Sequence, residues 1–358
     1  MSTVHVVVPA GVDDPSRPSG GNTYDRRVCA GLAGQGWVVH QREVAGSWPR
    51  PDDLSRTRLA RVLTGIPDGT VVLLDGLVAS ALPGVLVPER RRLRLVVLLH
   101  LPLGHEPYTG APVAGVPDQR TRERAVLHAA VAVVATSRWT REWLLSTYSL
   151  PPGKVHVVPP GVEPAPLMVS GGSGARLVCV GAVTPTKGQD VLVDALARVS
   201  ELPWSCRCVG ALDIDPAFAA RVQDRVQGAG LGGRVAFTGP RVGGHLDAVY
   251  AMADLVLVPS RTETYGMVVT EALARGVPVV GSDVGGLPEA LGETLGAARP
   301  GILVPPGRAA PLGAALRRWL TDATLRHALR LAARQRRATL GDWSATAHRL
   351  SRVLREVA

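Results

Sequence analysis

Twelve short apolar runs, six in each half of the chain and each set apart by helix-forming stretches, limit this sequence to few folds. The first six are VHVVVP, GWVVHQ, TVVLLD, LRLVVLLH, AVAVVATS and KVHVVPP; the second six are ARLVCVG, WSCRCVG, RVAFTG, ADLVLVPS, GVPVVGS and GILVPPG. Strands alternating with helices form parallel sheets covered by helices on both faces. These runs are apolar throughout instead of alternating, as strands buried on both sides must be. Between the sets, PPGVEPAPLMVSGGSGAR (159–176) is rich in Pro, Gly and Ser and reads as a linker. A chain of 358 residues also exceeds one ordinary core. The expected architecture is α/β, with two Rossmann-like doubly wound domains, 1–165 and 166–341. The closing WSATAHRLSRVLREVA (343–358) has helical apolar spacing and no strand after it, giving an amphipathic final helix over about 342–358. Ligands bind doubly wound sheets at the carboxyl ends of their strands, so a cleft between two such ends is where chemistry is expected.

Composition removes several function classes. Apolar content of 46% with 20% charged residues fits a globular protein, and no apolar run reaches the roughly 18 to 20 residues of a membrane span. The start, MSTVHVVVPAG, has no basic segment or cleavage site and reads as a first strand, which predicts a cytoplasmic protein. Cys29, Cys179, Cys206 and Cys208 have no metal-ligand spacing and read as reduced core thiols. The net charge of +10 suits phosphate-bearing ligands, but arginine is scattered along helices and aromatic residues make up only 4%. Nucleic acid is therefore not an expected partner, and a soluble acceptor is favoured over one at an anionic membrane surface. Only two of the 40 basic residues are lysines, Lys154 and Lys187.

The run PSRTETYGMVVTEALARGVPVVGSDVGG (259–286) carries Glu263 and Glu271 with seven residues between them. ADLVLVPS reads as a strand, RTET as a loop and MVVTEALARG as a helix ended by Gly276 and Pro278. One acid thus precedes the helix and the other lies inside it. The turn between them presents free N–H groups at a helix start, a ready phosphate site, and Gly266 lets the backbone come close to a ligand. Carboxylates on either side of a phosphate are suited to hydroxyl groups, because an ionised carboxylate only accepts hydrogen bonds. Hydroxyls flanking phosphate describe a nucleotide-sugar. Read alone, each acid is equally an exposed glutamate.

Other loops at strand ends add charge and donors. In LVCVGAVTPTKGQDVL, Lys187 and Gly188 open a helix after the strand, placing an ammonium where it can meet a diphosphate. Gly20 and Gly21 precede a helix after the first strand, a weak signal by itself. His100 ends LVVLLH and His105 follows in the next loop; each is a candidate donor or acid–base group and equally a structural histidine. Asp213 and Asp215 form an Asp-x-Asp pair suited to a metal, but Asp215 before Pro216 reads better as a helix cap. Neither Gly-x-Ser-x-Gly nor the Gly-Lys-Ser/Thr phosphate loop occurs.

Together these segments resemble the retaining GT-B glycosyltransferases of family 4, over nearly the whole chain. The resemblance rests on PSRTETYGMVVTEALARGVPVVGSDVGGLPEAL, FTGPRV (237–242), HVVPPGVEP and DWSATAHRL. It implies that Glu271 holds ribose hydroxyls and Glu263 a hydroxyl of the transferred sugar. By the same resemblance Thr264, Tyr265, Gly266, Met267 and Val268 line the sugar and distal phosphate, and Arg241 and Val242 belong to the loop around the base. Lys187 sits at the diphosphate and His100 lies close to the donor sugar; beside these, Thr184 and, from their place after the first strand, Gly20 and Gly21 are candidate donor-binding residues. The implied reaction moves a sugar from a nucleoside-diphosphate donor to an acceptor hydroxyl with retention, without a metal, a cofactor or a protein nucleophile. The acceptor is a small molecule or glycan, selected by loops such as Asp13–Tyr24 and Leu101–Asp118. Ala182 departs from the pattern, since the family carries an arginine there. Its loss removes a charge-assisted contact of about 1.5 to 3 kcal/mol, and Thr184, Arg17 and Arg138 are the candidates to replace it. The rival readings are a non-catalytic nucleotide-sugar-binding protein and a phosphorylase or epimerase on the same fold.

Overall fold

The computed structural model describes residues 2–105, 118–168, 172–293 and 299–358. The chain divides into two compact units, one of Met1–Asp13, Gly20–Gly161 and Asp342–Ala358, the other of Asp14–Ser19 and Val162–Gly341. Residues 106–117 of the Leu101–Asp118 loop lie outside the described residues.

The first unit is built on six parallel strands: β1 (Ser2–Pro9), β2 (Trp37–Val44), β3 (Val71–Asp75), β4 (Arg94–Leu99), β5 (Ala132–Ala135) and β6 (Val155–Val157). Their order is β2-β1-β3-β4-β5-β6. The connections reverse direction at β1, so the loops leaving β1 and β3 part from one another and open a crevice at their carboxyl ends. Successive side chains of β1 enter opposite cores. Val6 packs with Tyr24, Val28 and Leu32, whereas Val7 packs with Leu59, Val72 and Leu74. Burial on both faces is why the run shows no polar alternation.

The final helix, Trp343–Val357, is capped by Asp342, whose side chain accepts from Ala345 N, and it buries Leu350 and Leu354 in the first unit's core. It lies against the Gly20–Gly34 helix, where a Cβ built on Gly31 would sit 2.5 Å from Ala347 Cβ. Trp37 Nε1 donates to Ser351 Oγ at 2.8 Å, so the buried indole N–H is satisfied.

The second unit repeats the architecture with β7 (Arg176–Val180), β8 (Ser205–Val209), β9 (Val235–Phe237), β10 (Leu255–Val258), β11 (Val279–Ser282) and β12 (Gly301–Val304). The order is β12-β11-β10-β7-β8-β9, all parallel. Here the reversal falls between β7 and β10. Cys206 and Cys208 are buried on one face of β8, and all four cysteines are free thiols.

The twelve apolar runs therefore correspond to the twelve strands. Two local readings shift. Gly20 and Gly21 form the first turn of their helix instead of preceding it, and Lys187 closes a 3-10 turn, Pro185–Lys187, before the Gln189–Ala197 helix begins. Asp215 caps the Pro216–Gly228 helix by accepting from Phe218 N at 2.9 Å. Among the described residues, no helix is long and apolar enough to cross a membrane.

Replacing a helical glycine with alanine ordinarily stabilises by about 1 kcal/mol. At Gly31 the contact with Ala347 reverses the sign, and Gly31→Ala is expected to lower stability by about 1–2 kcal/mol as the two helices are forced apart. Thermal unfolding checks this; a higher midpoint would contradict so close an approach of the helices.

Candidate active site

The neighbouring strands β7 and β10 deliver two loops side by side. Lys187, at the end of the first loop, places Nζ 2.7 Å from Oε2 of Glu263, in the second. Ser260 Oγ lies 3.4 Å from the same oxygen. Arg261 fastens the loops below this pair. Its Nη1 donates to the Pro185 carbonyl and Asp190 Oδ1, both at 2.8 Å, while Nη2 donates to Asp190 Oδ2 at 2.6 Å. Burial raises the Asp190 carboxyl, yet the bonds and charge of Arg261 hold it below its ordinary value. Gly188 completes the junction. Its φ of +69° is the left-handed region, and a Cβ there would lie 2.3 Å from the Pro259 carbonyl oxygen.

Beyond Glu263 the chain turns through Thr264, Tyr265 and Gly266 into the Met267–Ala274 helix. Gly266 occupies the N-cap position and offers no side-chain cap. The first-turn amides, including those of Met267 and Val268, thus remain aimed outward with the positive end of the helix dipole. Tyr265 and Val268 pack in part against the core below. The backbone of the turn is fixed from behind by Gly286 N, which donates to the Glu263 carbonyl at 2.9 Å.

Glu271 lies on that helix, half-buried. Its Oε2 accepts the Tyr250 hydroxyl at 2.6 Å. Burial raises the Glu271 pKa; the Tyr250 bond and Arg275 pull the other way, and the balance leaves it above the ordinary value. Arg275 stands 4.7 Å over the Tyr250 ring and donates to the Glu271 carbonyl at 2.9 Å and to Asp247. A cation, a helix start and two carboxylates therefore occupy one surface at the switch point of the second sheet. Such a surface can accept an anion and several hydroxyl groups at once.

The other expected donor contacts are more peripheral. Thr184 Oγ1 lies 3.0 Å from Thr186 Oγ1 in the lysine loop. Arg241 and Val242 are exposed in the stretch after β9. Ala182 contributes a carbonyl, which accepts from Gln189 Nε2 at 3.0 Å, and no charge. Of the residues considered as substitutes for the missing arginine, Arg17 forms an exposed pair with Asp213 at 3.2 Å. Arg138 begins a helix of the other unit.

The first unit holds a second polar cluster. His100 directly follows β4, and its Nε2 is 2.8 Å from Asp25 Oδ1 and 3.6 Å from Asp75 Oδ2. Asp75 ends β3 and accepts from Leu77 N at 2.6 Å. Tyr24 meets the imidazole edge to face, with centroids 5.1 Å apart, and a Cβ on Gly21 would lie 3.2 Å from His100 Cδ2. Gly20 and Gly21 thus place backbone beside the histidine. Burial first and Asp25 second raise the Asp75 pKa to about 7, although His100 and Leu77 N oppose them. Burial lowers His100, but the charge and hydrogen bond of Asp25, with Asp75 behind it, leave it raised. The three residues bring ligand-type atoms within 4.8 Å of one another, and two of them, His100 and Asp25, are hydrogen-bonded together.

His105 packs among aromatic rings. It sits edge-on to Trp139 and Trp143, at 5.0 and 5.1 Å, and its pKa is lowered by burial and Arg120. Sequence reading missed Asp25, Asp75, Tyr250, Arg261 and Arg275. Asp75 carried a usable signal, an acid at the end of an apolar strand; the others acquire partners only through the fold. Buried Glu123 was missed too. It accepts from Leu103 N, Gly104 N and Ser80 Oγ, each at 2.9 Å, and so fixes the loop that follows His100.

Asp75 and His100 both bind protons more tightly folded than unfolded. Stability from this source is present at low pH and falls as pH rises, from 3.8 to about 7 for Asp75 and above 6.5 for His100. Asp75→Asn keeps an acceptor for Leu77 N and is expected to flatten that fall in a plot of Tm against pH. Parallel curves for the variant and wild type would contradict the arrangement.

Comparison with known proteins bears on both units. Residues 171–336 match the family Glycosyl transferases group 1 and residues 3–165 match Glycosyltransferase Family 4. Proteins named D-inositol 3-phosphate glycosyltransferase are similar in sequence. That of Jonesia denitrificans is 34% identical over 69% of this chain and 64% of its own length. For Kineococcus radiotolerans the values are 34%, 71% and 66%, and for Catenulispora acidiphila 32%, 76% and 69%. The chain thus spans about two thirds of the length of these relatives. Among solved structures, sucrose-phosphate synthase from Thermosynechococcus elongatus superposes with a TM-score of 0.82 at 22% identity, covering 99% of each chain. The Anabaena protein HepE, in complex with UDP and glucose, gives 0.77 at 18% identity over 99% of this chain and 100% of its own.

Proposed function

The chain belongs to the glycosyl transferases group 1, and from that premise we propose that it transfers a sugar from a nucleoside-diphosphate donor to an acceptor hydroxyl, with retention at the anomeric carbon and without a metal. The observation that carries the reading is the arrangement of Lys187, the uncapped start of the Met267–Ala274 helix, Glu263 and Glu271 on one surface. The lysine and helix amides supply countercharge for a diphosphate. Glu271 is assigned to ribose hydroxyls and Glu263 to a hydroxyl of the sugar being moved. Lys187 Nζ pairs with Glu263, so a diphosphate has to compete with that carboxylate for the ammonium. Retention in this reading follows departure and attack on one face, with the leaving diphosphate accepting the acceptor's proton. Catalysis then rests on positioning and on charge stabilisation prepared in advance. His100, held by Asp25, is assigned to the sugar side of the donor. The relatives named for D-inositol 3-phosphate make a phosphorylated cyclitol the first acceptor to try.

Ala182 favours a second reading, a protein that binds the donor without transferring its sugar. Slow donor hydrolysis without acceptor separates the two, since a pure binder releases no free sugar. In the enzyme, Glu271→Ala is expected to weaken donor binding by about tenfold or more, read by calorimetry. Lys187→Ala is expected to lower turnover at saturating donor by about 100-fold. Full turnover in the lysine variant would remove Lys187 from the chemistry.

A further inference from the structure

Tyr250 belongs to the Gly244–Ala251 helix, outside the run that carries both glutamates, and is fully buried. Its ring forms part of the core with Val256, Leu273 and Val277. Only its hydroxyl leaves the core, to donate to Glu271 Oε2 at 2.6 Å. Among the described residues, the other carboxylate oxygen of Glu271, Oε1, receives no hydrogen bond from the protein.

We propose that Tyr250 is the residue that makes the site selective for ribose: by holding one oxygen of Glu271 it directs the other at a vicinal diol. This rests on the assignment of Glu271 to the nucleotide's ribose. An unheld carboxylate swings about its terminal bonds and presents no fixed acceptor; one tied at Oε2 has its second oxygen set in direction before a ligand arrives. The tie is itself braced. Arg275 covers the Tyr250 ring at 4.7 Å, donates to the Glu271 backbone carbonyl and pairs with Asp247, so ring, carboxylate and helix end are locked as one unit.

The direction of the hydrogen bond is also determined. Burial, with the charge of Glu271, pushes the Tyr250 phenol well above its usual range, so it remains a donor. Glu271 Oε2 must then accept. Loss of the hydroxyl would leave a carboxyl that burial and Asp247 already push toward the neutral form, weakening it as an acceptor for sugar hydroxyls.

The test is calorimetry on the full chain. ADP, GDP and UDP are screened first, and the tightest binder is then compared with its 2′-deoxy counterpart. Wild type is expected to prefer the ribonucleotide by about tenfold, the equivalent of one good hydrogen bond to a charged group. Tyr250→Phe is expected to lose about tenfold on the ribonucleotide, change the deoxynucleotide by less than about twofold, and so abolish the preference. Glu271→Gln should do the same, and the double variant should add nothing, because both changes remove one device. A merely structural tyrosine would weaken both nucleotides equally and leave their ratio intact, which would overturn the proposal, as would additive effects in the double variant. Binding of none of the three diphosphates by folded wild type would instead overturn the donor-site assignment on which it rests.

Discussion

The side-by-side placement of β7 and β10 is the constraint on which the second unit's chemistry depends. Strand order reverses between them, so the loops that follow have no crossover helix lying between them and can be joined directly. Arg261 performs the joining through Asp190 and the Pro185 carbonyl, and Gly188 allows the contact distance. With the loops joined, Lys187 and Glu263 meet at 2.7 Å beside an open helix start. The arginine does not join the Lys187–Glu263 pair itself. It sets the distance between the two groups that do.

The same surface carries opposed electrostatic demands. In the proposed donor site a diphosphate would call for positive charge, which Lys187 and backbone amides offer, whereas sugar hydroxyls would call for carboxylates. The fold gives each carboxylate a donor from a different element: Lys187 for Glu263, Tyr250 for Glu271. In the first unit a related problem has another solution. Asp25 and Asp75 approach one another in the core, and the consequence is a raised Asp75 shared with an imidazole, His100.

Much of this architecture was legible in the sequence, and for stated reasons. Strands buried on both faces leave unbroken apolar runs, so all twelve could be read. The Glu263–Glu271 run was legible because glycine, helix and acids fall at fixed intervals in one segment. Lys187 was visible because lysine is so scarce. The supporting groups were hidden, since each acts across a long separation. Tyr250 looks like an ordinary core aromatic and Arg261 like one more arginine among many. Asp25 carries no signal in its helical segment, and only β3 and β4 bring Asp75 and His100 to it. Lys187 and Gly188 read as the opening of the Gln189–Ala197 helix, but Lys187 ends a 3-10 turn and the left-handed Gly188 stands as the helix's N-cap.

The central claim is that the β7–β10 surface holds the diphosphate of a sugar donor. A crystal structure of the full chain with a nucleoside-diphosphate hexose tests it most directly. Diphosphate oxygens are expected within hydrogen-bond distance of Lys187 Nζ and the first amides of the Met267–Ala274 helix, with ribose on Glu271. A donor bound elsewhere, or one whose diphosphate leaves the Lys187–Glu263 pair closed, would contradict it.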